Sequence, residues 1–133
     1  MHNPPVTLPR RPHAMTGLLA GLALAGLAGC GSETDDRPAK WSFISATIVE
    51  PMCATASCHS SFVKRAGVDL HDRNTGYHSL VDRLFVIPTN PDASAVITIM
   101  RGQGSIRMPP DIALPNADIA LIAQWITDGA MNE

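Results

Sequence analysis

Cys53-Ala54-Thr55-Ala56-Ser57-Cys58-His59 sets two thiols close together and follows the second at once with an imidazole. Two cysteines can add to the vinyl groups of a porphyrin, and a histidine directly after the second is placed to ligate the iron from one face. The stretch therefore reads as covalent haem attachment, with Cys53 and Cys58 as anchors and His59 as an iron ligand. The usual spacing leaves two residues between the cysteines; this chain has four. On a regular helix, residues five apart point roughly 140° away from each other. Cys53 and Cys58 reach one macrocycle only where Ala-Thr-Ala-Ser bulges out of the helix.

An iron held by histidine on one side needs a sixth ligand for stable electron transfer, and Arg107-Met108-Pro109-Pro110 offers one. A thioether stabilises ferrous iron and raises the potential, and prolines directly after it stiffen the loop that carries it. The plainer reading is that Met108 fills the core, as methionines commonly do. His71 and His78 are further candidates, either as an alternative sixth ligand or as partners of Cys53 and Cys58 in a zinc site; otherwise both are exposed loop histidines. Pro88 is a candidate to accept the ring N–H of His59, the contact that fixes a ligand's orientation. Arg65, Arg101 and Arg107 are candidates to pair with haem propionates, against solvated surface as the default. The carboxylates show no paired arrangement of the kind used in acid–base catalysis, so no catalytic residue is assigned.

Other parts of the chain bear on where such a group would work. An apolar run of 15 residues, Ala14 to Ala28, follows Arg10-Arg11 and ends in Leu27-Ala28-Gly29-Cys30. The run is short of the ~20 residues that span a bilayer, and its flanks suit a signal peptide over residues 1–29. The cysteine at its end resembles a lipobox, making Cys30 the expected lipidated N-terminus of a mature, exported lipoprotein. Two or more acyl chains hold stably on a membrane, at the periplasmic face of either membrane or at the cell surface. The bland alternative is an uncleaved anchor with an incidental cysteine. The cysteine count then closes, since the chain has three: one for lipid and two for haem. Loss of Arg10 and Arg11 leaves eight basic residues against twelve acidic ones, a net charge of −4. With no basic stripe, nucleic acid is not expected as a partner, while mild acidity permits docking on a basic redox protein.

Residues 30–40 are polar and lack apolar periodicity, which predicts a tether from Cys30 reaching at most ~35 Å. The folded domain is expected to begin at Trp41. Trp41, Ile44 and Ile48 predict a helix over 42–50 with Ser42 as its cap and Pro51 as its end or kink. Ala66 to Leu70 reads as a turn followed by a short apolar anchor, and Tyr77 to Phe85 as a short helix. Asp92 is placed to cap a helix through Ala95, Val96, Ile99 and Met100 that Gly102 stops. Gly102 to Pro115 is loop. A last helix starts at Asn116 or Asp118, buries Ile119, Ile122, Ala123 and Ile126, and stops at Gly129. Trp125 is expected to pack this helix on the first one. No strand alternation stands out, so the fold class is all-α, with three to five short helices and long loops. So small a domain, rich in Pro and Gly, buries a thin core alone.

In order along the chain come a helix, Cys…Cys-His, Gly-Val-Asp-Leu, Pro-Thr-Asn-Pro-Asp-Ala-Ser, Met-Pro-Pro and a terminal Trp-Ile-Thr-Asp-Gly-Ala helix. This order resembles a small c-type cytochrome domain, most similar to the haem-binding lipoproteins of planctomycetes and myxobacteria. The resemblance covers about residues 41 to 131. It implies one covalent haem c held by Cys53 and Cys58, with His59 as the proximal and Met108 as the distal ligand. The wider Cys spacing departs from the common pattern. The function it implies is a lipid-anchored, mono-haem electron carrier serving a redox partner protein, not an enzyme. Two alternatives stand beside it: a haem-based sensor or peroxidase-like protein with a displaceable Met108, and a haem-free interaction module with a Cys53–Cys58 disulfide.

Overall fold

A computed structural model of the protein describes residues 35–133. The expected signal peptide, Cys30 and the first part of the tether lie outside the described residues. Among the described residues the chain is helical and contains no strand.

Trp41, Ile44 and Ile48 recur three or four apart and are buried together with Val49, which sets the face of one continuous helical run. It comprises α1 (Trp41–Ile44), a π-helical turn (Ser45–Val49) and α2 (Glu50–Cys53). Ser42 is not its cap: Lys40 holds that position without a side-chain bond, and the Ser42 N–H donates to the Glu133 carbonyl at 2.8 Å. Nor does Pro51 end it. Proline lacks an N–H, and its ring crowds the carbonyl one turn back. In the π turn the Glu50 N–H reaches back to the Ser45 carbonyl. That wider register just before the proline lets the helix run on to Cys53.

Helix α3 (Arg73–Val81) starts four residues before the predicted one because Asp72 caps it, accepting from the N–H groups of Asn74 and Thr75. Its Gly76 lies against the first helix, where a Cβ would stand 3.4 Å from Trp41 Cζ2. Leu84 turns the chain away at φ 60°, so the helix ends short of Phe85. Helix α4 (Ala95–Met100) begins after Ser94 rather than at Asp92. The buried Ser94 hydroxyl accepts from the Ile87 N–H and donates to the Asn90 carbonyl, both at 2.8 Å. Gly102, at φ +66°, closes α4 as expected. Helix α5 (Asn116–Thr127) buries Ile119, Leu121, Ile122, Trp125 and Ile126.

Trp125 stacks on Trp41 with ring centroids 4.9 Å apart and planes at 27°, which joins α5 to α1 as the sequence predicts. Each indole N–H is satisfied, Trp41 by the Arg73 carbonyl at 2.7 Å and Trp125 by the Met131 carbonyl at 2.9 Å. The strap before α4 is tied to the same core, since the Thr89 N–H donates to the Ile126 carbonyl at 2.7 Å. The end of the expected tether also lies on this domain. Arg37 pairs with Asp118 of α5 at 2.6 Å, and Ala39 packs on the core.

Candidate functional site

Helix α2 ends at Cys53, where Ala54 leaves helical geometry (φ −82°, ψ 21°). Thr55, Ala56 and Ser57 stand exposed. The backbone then closes on itself: the Cys58 N–H donates to Thr55 O at 2.9 Å, and the His59 N–H to Cys53 O at 3.1 Å. The insert bulges out of the helix, the shape its spacing requires, and Cys53 and His59 meet at its neck.

Cys53 and Cys58 are both free thiols, in different surroundings. Burial pushes the Cys53 thiol up to about 11, and the neighbouring Cys58 adds to that push. Cys58 is held below its ordinary value by side-chain hydrogen bonds from Thr55 and Ser57, helped by the Arg65 guanidinium and opposed by Asp111. Asp111 stands three residues beyond Met108, so the Met-Pro-Pro loop lies close enough to act on the Cys58 charge.

His59 is held from the segment after the Arg65–Gly67 turn. Its Nδ1 lies 3.2 Å from the Val68 carbonyl. A carbonyl only accepts, so Nδ1 carries the proton, and in the neutral ring Nε2 keeps its lone pair. The Leu70 N–H donates to the His59 carbonyl at 2.8 Å. Pro88 is not the acceptor; its carbonyl takes the Thr89 hydroxyl at 2.6 Å.

Between these two contacts sits Asp69, a carboxylate only 6% exposed. Lys64 Nζ reaches it at 3.0 Å and His71 Nδ1 at 2.7 Å, and the His71 N–H adds a third bond at 3.2 Å. Burial alone would raise Asp69, but the bonds from His71 and Lys64 hold it at about 2. His71 Nε2 meets Asp72 at 2.8 Å, and His78 Nδ1 meets Asp82 at 3.0 Å. Both histidines proposed as alternative ligands are thus engaged with carboxylates. Among the described residues, no three His, Cys, Asp or Glu side chains are grouped to hold a metal ion, so the zinc alternative gains no set of ligands.

Met108 is half-buried midway along the predicted loop, and its N–H donates to Ile99 O at 3.2 Å, docking the loop on the end of α4. Arg107 bonds the Pro110 carbonyl at 2.9 Å, and Arg65 the Ser57 carbonyl at 2.9 Å; Arg101 is exposed. Behind Cys53 lies an apolar cavity of about 50 Å³, walled by Trp41, Leu70, Leu80, Met100 and Trp125 among others. Met108 does not line it, whereas Met100 does.

The sequence reading missed Lys64, Val68 and Asp69. The usable signal was Val68-Asp69-Leu70, one acid between two apolar residues in an otherwise buried anchor. No family model, no curated protein and no solved structure matches the chain.

Proposed function

We propose that this chain is a mono-haem cytochrome c, lipid-anchored through Cys30 outside the cytoplasm, that carries single electrons to and from a redox partner protein. The observation that carries the proposal is the setting of His59. A ring whose Nδ1–H is committed to a backbone carbonyl presents Nε2 as a metal ligand, and here it does so beside two unpaired thiols.

The donor set fits haem c. Cys53 and Cys58 would fix the group covalently, and His59 and the Met108 thioether would ligate its iron. When bound, the haem supplies a one-electron iron couple. The chain keeps His59 in one tautomer through Val68 and walls the Cys53 side with apolar residues that exclude water. The apolar cavity of about 50 Å³ behind Cys53 would take only part of a macrocycle, so a bound haem would extend beyond it. Segment 103–113, which carries Met108, is joined to α4 by the bonds Gln103 N–H to Thr98 O and Met108 N–H to Ile99 O.

The test is to make the chain in a host with cytochrome c maturation machinery and compare wild type with Met108→Ala by intact mass and by spectra of both redox states. A one-haem mass increment, with the thioether–iron band lost only in the mutant, is the expected result. A band that survives Met108→Ala would move the distal ligand to another thioether, Met100 being the buried one beside Cys53. Five-coordinate iron in the wild type would favour the sensor or peroxidase-like alternative. No adduct would refute the haem reading and leave the interaction module.

A further inference from the structure

The buried Asp69 has no part in the chemistry so far assigned, yet it stands between the two backbone groups that hold His59. Val68 supplies the carbonyl for the ring and Leu70 the N–H for the main chain. A carboxylate in such a place is costly unless it is paired and fully bonded. Asp69 meets that condition through Lys64, His71 and the His71 N–H, while its own N–H donates to the Ser79 hydroxyl of α3 at 3.3 Å. The cluster therefore ties three parts of the chain to one point: the turn after His59, the 68–71 segment, and α3.

We propose that the Lys64–Asp69–His71 cluster is a strut that sets the His59–Val68 hydrogen bond and, through it, the reduction potential of an iron held by His59. This rests on the haem reading above. Asp69 is a positioning residue, since it acts through the Val68 carbonyl. A firm Nδ1–H to carbonyl bond makes the imidazole a stronger donor, which favours ferric iron and lowers the potential. Slackening the strut weakens that bond and raises the potential.

Charge alone predicts something different, and the difference makes the idea testable. By Coulomb attraction and repulsion, Asp69→Asn raises the potential and Lys64→Gln lowers it, because one removes a negative and the other a positive charge. A strut broken from either side raises it in both.

The experiment is redox potentiometry on the haem-loaded full chain for wild type, Asp69→Asn, Lys64→Gln and Lys64→Arg, with intact mass and the thioether–iron band recorded for each. The proposal expects upward shifts in both Asp69→Asn and Lys64→Gln with the adduct and the band retained, and a near wild-type potential in Lys64→Arg. Shifts of opposite sign in the first two overturn it in favour of plain charge, and unchanged potentials overturn it outright. Should Asp69→Asn fail to fold, the half-exposed Lys64 carries the test alone. A wild type that takes up no haem fails the functional reading itself, whereas a loaded but insensitive protein fails only the strut.

Discussion

Trp41 and Trp125 stack at 4.9 Å, one from the first helix and one from the last, so an aromatic contact at the centre of the core joins the two ends of the domain. Each is at most 2% exposed. Replacing Trp125 with alanine removes the stack, its hydrogen bond to Met131 and one wall of the cavity. We expect a loss of about 3–5 kcal/mol, read as a lower urea midpoint for the full chain. Trp125→Phe should lose less, since a ring remains to pack on Trp41.

Gly76 is the other determinant of that closure. A Cβ there makes ordinary contact with Trp41 at 3.4 Å, and alanine is the better helix former by about 1 kcal/mol. Gly76→Ala should therefore be neutral or slightly stabilising in thermal unfolding. Gly76→Leu, whose longer side chain has no room against Trp41 and Leu70, should cost about 1–3 kcal/mol.

Acid should act on the protein through Asp69. Its carboxyl is held at about 2, below the ordinary 3.8. The stability it contributes is complete above the ordinary value and disappears as pH falls through that window. At neutral pH, Asp69→Asn should cost about 1.5–3 kcal/mol, as expected for hydrogen bonds to a charged group. Unfolding titrations from pH 6 to pH 2, where the extremes are about the two ends of the titration, should show wild type losing stability faster and the two proteins converging.

The two thiols should differ in reactivity in chain made without haem. With Cys53 at about 11 and Cys58 below its ordinary 9.0, their thiolate fractions at neutral pH differ by roughly a hundredfold or more. Iodoacetamide labelling followed by peptide fragmentation should find Cys58 modified well before Cys53. Equal rates would mean that Cys53 is not buried in the unloaded chain.

Much of this was legible because it rests on periodicity. The apolar faces of the first and last helices, the Gly102 stop and the bulge forced by four residues between cysteines all follow from spacing. The misses share a cause: a polar side chain doing something other than its commonest job. Asp72 caps α3 four residues early, in a helix whose apolar residues are too sparse to mark its start. Ser94, not Asp92, organises the entry to α4 by bonding back to the strap. Pro51 is absorbed by a π turn that no local pattern announces. Val68 was legible only as an apolar anchor, because what it gives His59 is its main-chain carbonyl.

The bond between His59 and the Val68 carbonyl has a genetic corollary. The acceptor for His59 belongs to the peptide backbone, so exchanging Val68 for another side chain leaves the oxygen in place. An exchange of Val68 that keeps its apolar volume should therefore leave the His59 tautomer unchanged, whereas a bulky or polar residue would disturb the core in which Val68 is buried. If the Lys64–Asp69–His71 cluster is the strut proposed above, variation at those three residues, none of which makes that bond, would alter how firmly it is held. An engineer seeking variants with altered properties would do better to randomise those three positions than the residue that touches the ring.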